Sequence, residues 1–185
     1  MALTYTPEKP EFGQPCPDFT LPGVDGKTYT LKNFSNGQPL LVMFICNHCP
    51  YVKAIEGRLI QLGHDLKTEN INVVAICSND ENKYAEDNFE NLKKRFYEKN
   101  YSFYYLHDQD QNVAKKFGAV CTPDYFMFDG DLKLQYRGRL DDNWQDSDKV
   151  TKRELYEAAL DLKNHQPLKK QTPSMGCSIK WKTHA

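Results

Sequence analysis

From Leu40 to Cys46 the chain places seven apolar residues in a row, with no polar residue among them. A run that short and uniform predicts a strand covered on both faces, as inside a parallel-type sheet. Val52, Ile55, Leu59, Leu62 and Leu66 follow at spacings of three and four. They form one stripe of an amphipathic helix that starts near Pro50, a residue suited to a first turn. Ile71 to Cys77 predicts a second buried strand, Ala85, Phe89, Leu92 and Phe96 a second helix, and Ser102 to Leu106 a third strand. A short helix from Asn112 to Phe117 should stop at Gly118. Strands at Tyr125 to Phe128 and Leu132 to Tyr136 flank the turn Asp129-Gly130-Asp131, and Thr151 to Leu162 predicts a last helix.

Ahead of these elements, residues 12–36 read as irregular β structure punctuated by Pro15, Pro17 and Pro22. Asp25-Gly26 is a turn signal between Phe19-Thr20-Leu21 and Thr28-Tyr29-Thr30-Leu31, so a hairpin is expected. Strands alternating with helices after such a hairpin indicate an α/β fold with a central sheet and helices on both faces. At the far end, Pro167 and Pro173 prevent the last helix from continuing. Ile179 and Trp181 alternate with Lys180 and Lys182 in a half-buried extended pattern, so the tail should dock, with Trp181 as its anchor.

Composition narrows the function. Hydrophobic residues make up 39% and charged residues 26% of 185 positions, enough apolar surface for one folded domain with an ordinary charged exterior. That domain is read as residues 1–185, with 1–11 an N-terminal extension and 164–185 the docked tail. Lys and Arg total 24 against 25 Asp and Glu, a net charge of -1, which offers no field for nucleic acid or an anionic membrane. The longest apolar run is far below the roughly 20 residues of a membrane helix. Residues 1–15 lack the apolar segment of a secretory signal. The expectation is a cytosolic protein with no nucleic-acid or membrane partner, whose six cysteines rest reduced.

Candidate chemistry concentrates in Cys46-Asn47-His48-Cys49-Pro50, where the buried strand gives way to the helix. Two thiols at this spacing can bridge across a first turn. The N-terminal partial charge and free N–H groups of the helix favour a thiolate at Cys46, and His48 can tune it. On this reading Cys46 attacks, while Cys49, one turn in and more covered, resolves the mixed disulfide. Two rivals stay open. The pair could be small buried hydrophobes, or it could bind zinc or copper, although Cys77, Cys121, Cys177 and His107 are scattered singly rather than spaced as further ligands. Covalent haem is excluded, because Pro50 stands where the histidine would be. Cys16 and Cys77 read as core. Cys121, two residues before Pro123, is a candidate additional thiol, and so is Cys177 if the tail folds over the redox face. His64, His107, His165 and His184 lack partner spacing.

Over residues 12 to about 140 the sequence resembles the thioredoxin superfamily, in the branch that holds peroxiredoxins and membrane-anchored thiol-disulfide proteins. Gly13-Gln14-Pro15-Cys16-Pro17-Asp18-Phe19 looks like that branch's N-terminal hairpin, and Cys46-Asn47-His48-Cys49 occupies the redox position. His107-Asp108-Gln109-Asp110, Val113 to Ala119 and Thr122-Pro123-Asp124-Tyr125-Phe126 match its later half. With Arg137 to Asp142 and Gly176 to Trp181, the chain is most similar to the peroxiredoxin-like redoxin group. The resemblance implies a thioredoxin-like fold with a central mixed sheet. It also implies that the Thr122-Pro123 bond is cis and lies beside Cys46, making Thr122 and Pro123 substrate-binding residues.

The implied activity is a thiol-disulfide oxidoreductase using Cys46 and Cys49, with no organic cofactor and no metal, since the electrons reside in the thiols. Its partners would be protein or small-molecule thiols and disulfides. A thiol-dependent peroxidase acting on hydroperoxides is the alternative. Against it, efficient peroxidases carry a hydroxyl three residues before the nucleophile, and that place holds Met43 for Cys46. A metal-binding or scaffold protein without turnover is the third reading. The oligomeric state leaves no mark in the sequence.

Overall fold

The computed structural model describes residues 3–183. Its centre is strand β4, Leu40–Phe44, every residue of which is buried. Successive side chains of a strand point to opposite faces. Leu41 and Met43 therefore enter one core, while Leu40, Val42 and Phe44 enter a second core on the other side. Each such side chain is worth about 1.5–3 kcal/mol when fully buried, which explains why this run lies in the middle of the sheet.

Around it the sheet runs in the order β6-β5-β4-β8-β9, with β5 Asn72–Cys77, β6 Tyr104–His107, β8 Asp124–Phe128 and β9 Leu134–Tyr136. Strands β4, β5 and β6 are parallel, whereas β8 and β9 run antiparallel. The hairpin pairs β2, Thr20–Pro22, with β3, Thr28–Thr30. Helices α1 (Pro50–Thr68), α2 (Phe89–Glu98) and α4 (Glu154–Lys163) bury Val52, Ile55, Leu59, Leu92, Leu155 and Ala159 on one face. Helix α3, Asn112–Phe117, buries Val113, Ala114 and Phe117 on the other.

One helix differs from the expected pattern. The stripe Ala85, Phe89, Leu92, Phe96 predicts a single helix, but residues Ala85–Asp87 form a separate 3-10 turn. Asn88 caps α2 by accepting the N–H of Asn91 at 2.9 Å. A capping side chain satisfies an otherwise orphaned donor, so the helix starts at Phe89 and Asp87 stays outside it.

A second, three-stranded sheet has the order β1-β10-β7. It joins β1, Leu3–Tyr5, and β10, Met175–Ser178, to β7, Cys121–Thr122. The tail is fixed by Cys177 and Ile179, both buried, whereas Trp181 remains 39% exposed. The expected anchor is therefore corrected: the alternation holds the tail extended, but its buried side begins at Cys177. No helix among the described residues is long and apolar enough to cross a membrane.

Candidate functional site

Cys46 lies just past the end of β4, and Cys49 is the residue from which α1 departs. The strand ends there because its hydrogen-bonded partner β8 begins at Asp124, opposite Phe44. The helix starts at once because Pro50 occupies its first turn. Neither sulfur is open to solvent, Cys46 being 2% and Cys49 0% exposed.

Thr122 joins the two thiols. Its Oγ1 lies 3.4 Å from Cys46 Sγ, and its carbonyl oxygen accepts from Cys49 Sγ at 3.1 Å. The bond from Thr122 to Pro123 is cis. The sequence-expected residues Cys46, Cys49, Thr122 and Pro123 thus meet at one place. Beside Pro123 lies a cavity of about 180 Å³, lined among others by Tyr5, Tyr51, Tyr125, Trp144 and Met175.

His48 belongs to the same cluster but serves a different neighbour. Its Nδ1 donates to the Asp87 carboxylate at 2.5 Å and approaches Cys46 Sγ only to 3.7 Å. The ring stacks on Tyr84 at 4.4 Å between centroids. Asp87 is fully buried and also accepts from the backbone N–H groups of Asn47 and His48, at 2.7 and 3.2 Å, and from Asn79 Nδ2 at 2.9 Å. One carboxylate therefore fixes the loop between the two cysteines. Asp87 is the residue that sequence reasoning missed. It lies 39 positions beyond His48, so no local spacing announces it; the one available signal was Asn88, a capping type directly before Phe89.

The electrostatics reverse one expectation. Burial is the main cause that pushes the Cys46 thiol well above its ordinary value, and a hydrogen bond to Cys49 and the Asp87 charge add to it. Cys49 moves the other way, down to about 4. The hydrogen bond from Cys46 is the largest cause, aided by the Thr122 side chain and the backbone N–H groups of Val52 and Cys177, against the cost of burial. Within this hydrogen-bonded pair Cys49 is therefore drawn down and Cys46 up, with one proton held between the two sulfurs at the start of the helix.

The remaining candidates are placed as follows. Cys177 lies in β10 opposite Thr122. Cys121 precedes Thr122 on the same strand and donates to the Pro123 carbonyl at 3.5 Å, and burial raises its thiol above the ordinary range. Cys16 and Cys77 are core residues. His107 is buried 3.7 Å from the Glu81 carboxylate, whereas His64 and His165 are exposed; His184 lies outside the described residues. Ligand atoms of Cys46, His48 and Asp87 fall within 4.8 Å of one another. A cation there would have to replace the His48–Asp87 hydrogen bond, and a closed zinc site takes four ligands.

Known structures share this arrangement of elements. An uncharacterized conserved protein of Geobacillus kaustophilus is 41% identical, with a TM-score of 0.93 over 100% of this chain and 99% of that one. A hypothetical protein of Sinorhizobium meliloti is 36% identical, with a TM-score of 0.90 over 95% and 97%. The thiol:disulfide interchange protein DsbE of Yersinia pestis is 28% identical over 72% of this chain and 68% of its own length. Solved thioredoxin and disulfide-oxidoreductase domains of lower identity share the thioredoxin-like fold. The AhpC/TSA family matches residues 12–137, a span that contains the hairpin, both cysteines, Asp87 and the Thr122-Pro123 bond, and the chain belongs to that family.

Proposed function

We propose that the protein is a thiol-disulfide oxidoreductase whose redox pair is Cys46 and Cys49. The observation that carries this reading is the convergence of both sulfurs on Thr122 at the start of α1, at 3.4 and 3.1 Å. The likeness to a thiol:disulfide interchange protein supports the same chemistry.

The roles follow from the proton that the two sulfurs share. The reduced pair holds one proton between its sulfurs, and with that proton on Cys49 the Cys46 thiolate attacks one sulfur of a substrate disulfide. A mixed disulfide forms and the first substrate thiolate leaves, taking the proton from Cys49. Cys49 then attacks Cys46, closing the Cys46–Cys49 disulfide and releasing the second substrate thiolate. Thr122 and Pro123 form the wall against which the substrate lies, and the neighbouring aromatic cavity takes its apolar part. His48, held by Asp87, fixes the loop and the field around Cys46. In a reducing compartment, the cytosol on the sequence reading, the pair would rest as the dithiol.

The test is turnover of a disulfide substrate by wild type, Cys46→Ser and Cys49→Ser, with the redox state mapped by mass spectrometry. Cys46→Ser should be inactive and Cys49→Ser should accumulate a mixed disulfide at Cys46. Failure of the wild type to form any Cys46–Cys49 disulfide under mild oxidation would sink the reading.

One observation favours the peroxidase alternative. The hydroxyl that Met43 cannot supply comes instead from Thr122, 3.4 Å from Cys46 Sγ. Hydroperoxide consumption coupled to a dithiol, lost in Thr122→Val as well as Cys46→Ser, would establish that chemistry.

A further inference from the structure

Strand β10 is held on both sides of Cys177. Before it, Ser174 Oγ donates to the Pro123 carbonyl at 3.0 Å. After it, the N–H of Ile179 donates to the Val120 carbonyl at 3.2 Å, and that of Lys180 to Asn79 Oδ1 at 2.9 Å. Gly176 permits the close fit: a Cβ there would stand 2.0 Å from the Thr122 carbonyl oxygen and 3.0 Å from Pro123 Cδ. The register that results places Cys177 opposite Thr122, the residue whose two oxygens already hold Cys46 and Cys49.

Cys49 therefore has a thiol neighbour on each side. Toward Cys177 the contact is double, because the backbone N–H of Cys177 donates to Cys49 and its thiol is hydrogen-bonded to the same sulfur. All three residues are buried in one core. Exchange among them needs no access from outside, because attacking and attacked sulfurs belong to the same buried cluster.

We propose that Cys177 is a third exchanging thiol of this site, which takes over Cys49 from Cys46. The proposal rests on the redox pair proposed above. The Cys177 thiol gives up its proton and attacks Cys49 Sγ in the Cys46–Cys49 disulfide. The Cys49–Cys177 bond forms, the Cys46–Cys49 bond breaks, and the departing Cys46 sulfur takes the proton. No electrons leave or enter the protein in this step; the two electrons were removed earlier by the disulfide substrate. The outcome is an oxidised protein in which Cys46 is a free thiol again and the disulfide ties helix α1 to the strand that covers the site.

The experiment is oxidation of the reduced full-length protein with diamide, acid quenching, alkylation after unfolding and peptide mapping without reduction. A crosslink between the peptides carrying Cys49 and Cys177 is expected in wild type. In Cys46→Ser it should persist, where it can only involve Cys49, and in Cys177→Ser it should be lost while Cys46–Cys49 still forms. Wild type that yields Cys46–Cys49 with Cys177 fully alkylated overturns this inference and leaves the redox pair standing. Wild type that yields no disulfide overturns both.

Discussion

The Asp87 carboxylate, at the end of a three-residue turn, accepts a hydrogen bond from His48 Nδ1 at 2.5 Å. It is buried, it holds the loop between the two cysteines, and its charge helps to raise the Cys46 thiol. Asp87→Ala should therefore have two separable effects. Leaving the Asn47, His48 and Asn79 donors unpaired should cost about 3 kcal/mol in urea unfolding. Removing the negative charge should also move the pH profile of Cys46 alkylation to lower pH. An unchanged profile in a folded variant would mean that Asp87 does no more than hold the loop.

A pH dependence of stability follows from Cys49. Its folded value, about 4, lies below its ordinary 9.0, so the reduced fold binds fewer protons at this site than the unfolded chain. The stabilisation is complete above about 9 and is lost as the pH falls toward about 4. Cys46, raised instead, stabilises below its unfolded value and loses that contribution on the alkaline side. Between these limits Cys49 contributes a rising slope. Reduced wild type should gain stability from about pH 5 to about pH 8, and Cys49→Ala should show a flatter curve. The ultraviolet absorbance of the thiolate, followed over the same range, should vanish in Cys49→Ala and persist in Cys177→Ser.

Apolar periodicity carries the main elements because it reports burial directly. Leu40–Phe44 is central and Val52 to Leu66 is one helix face, since nothing but two-sided or one-sided coverage explains those spacings. It fails where polar geometry decides. Ala85 fits the stripe of Phe89 and Leu92, yet Asn88 starts the helix after it, and that cap is what leaves Asp87 free to reach His48. The tail is similar: Ile179 and Trp181 indicate an extended segment, but the register of Cys177 depends on how closely Gly176 can approach Thr122. The downward shift of Cys49 depends first on the hydrogen bond from Cys46 and the Thr122 side chain, then on N–H groups of Val52 and Cys177, and such contacts across the fold are not written in local side-chain spacing.

Arg137 offers a test of the fold separate from the site. It makes two hydrogen bonds, at 3.2 and 2.9 Å, to Asp124, which is fully buried, and its guanidinium lies 4.3 Å from the centre of the Phe126 ring. Arg137→Met leaves a buried carboxylate without its partner, and should cost about 3–5 kcal/mol in denaturant unfolding. Adding Asp124→Leu should recover most of that loss, because the second change removes the unpaired charge. A double variant no more stable than the single one would show that the pair contributes through packing rather than charge.

Gly176 governs how the redox site is covered. Alanine there would drive its methyl group into the Thr122 carbonyl, a backbone atom that cannot turn aside, so β10 must lift while the Cys46–Cys49 segment keeps its own support from Asp87. The cost of such overpacking is about 1–3 kcal/mol. Because Cys46 and Cys49 lie buried beneath this cover, Gly176→Ala should raise their alkylation rate in the native protein by about tenfold or more, the factor that corresponds to about 1.4 kcal/mol less cost of opening. Cys16, which lies in the other core, is the internal standard. Equal acceleration at all three would mean general loosening of the fold, whereas acceleration at Cys46 and Cys49 without Cys16 identifies the C-terminal strand as the gate to the thiols.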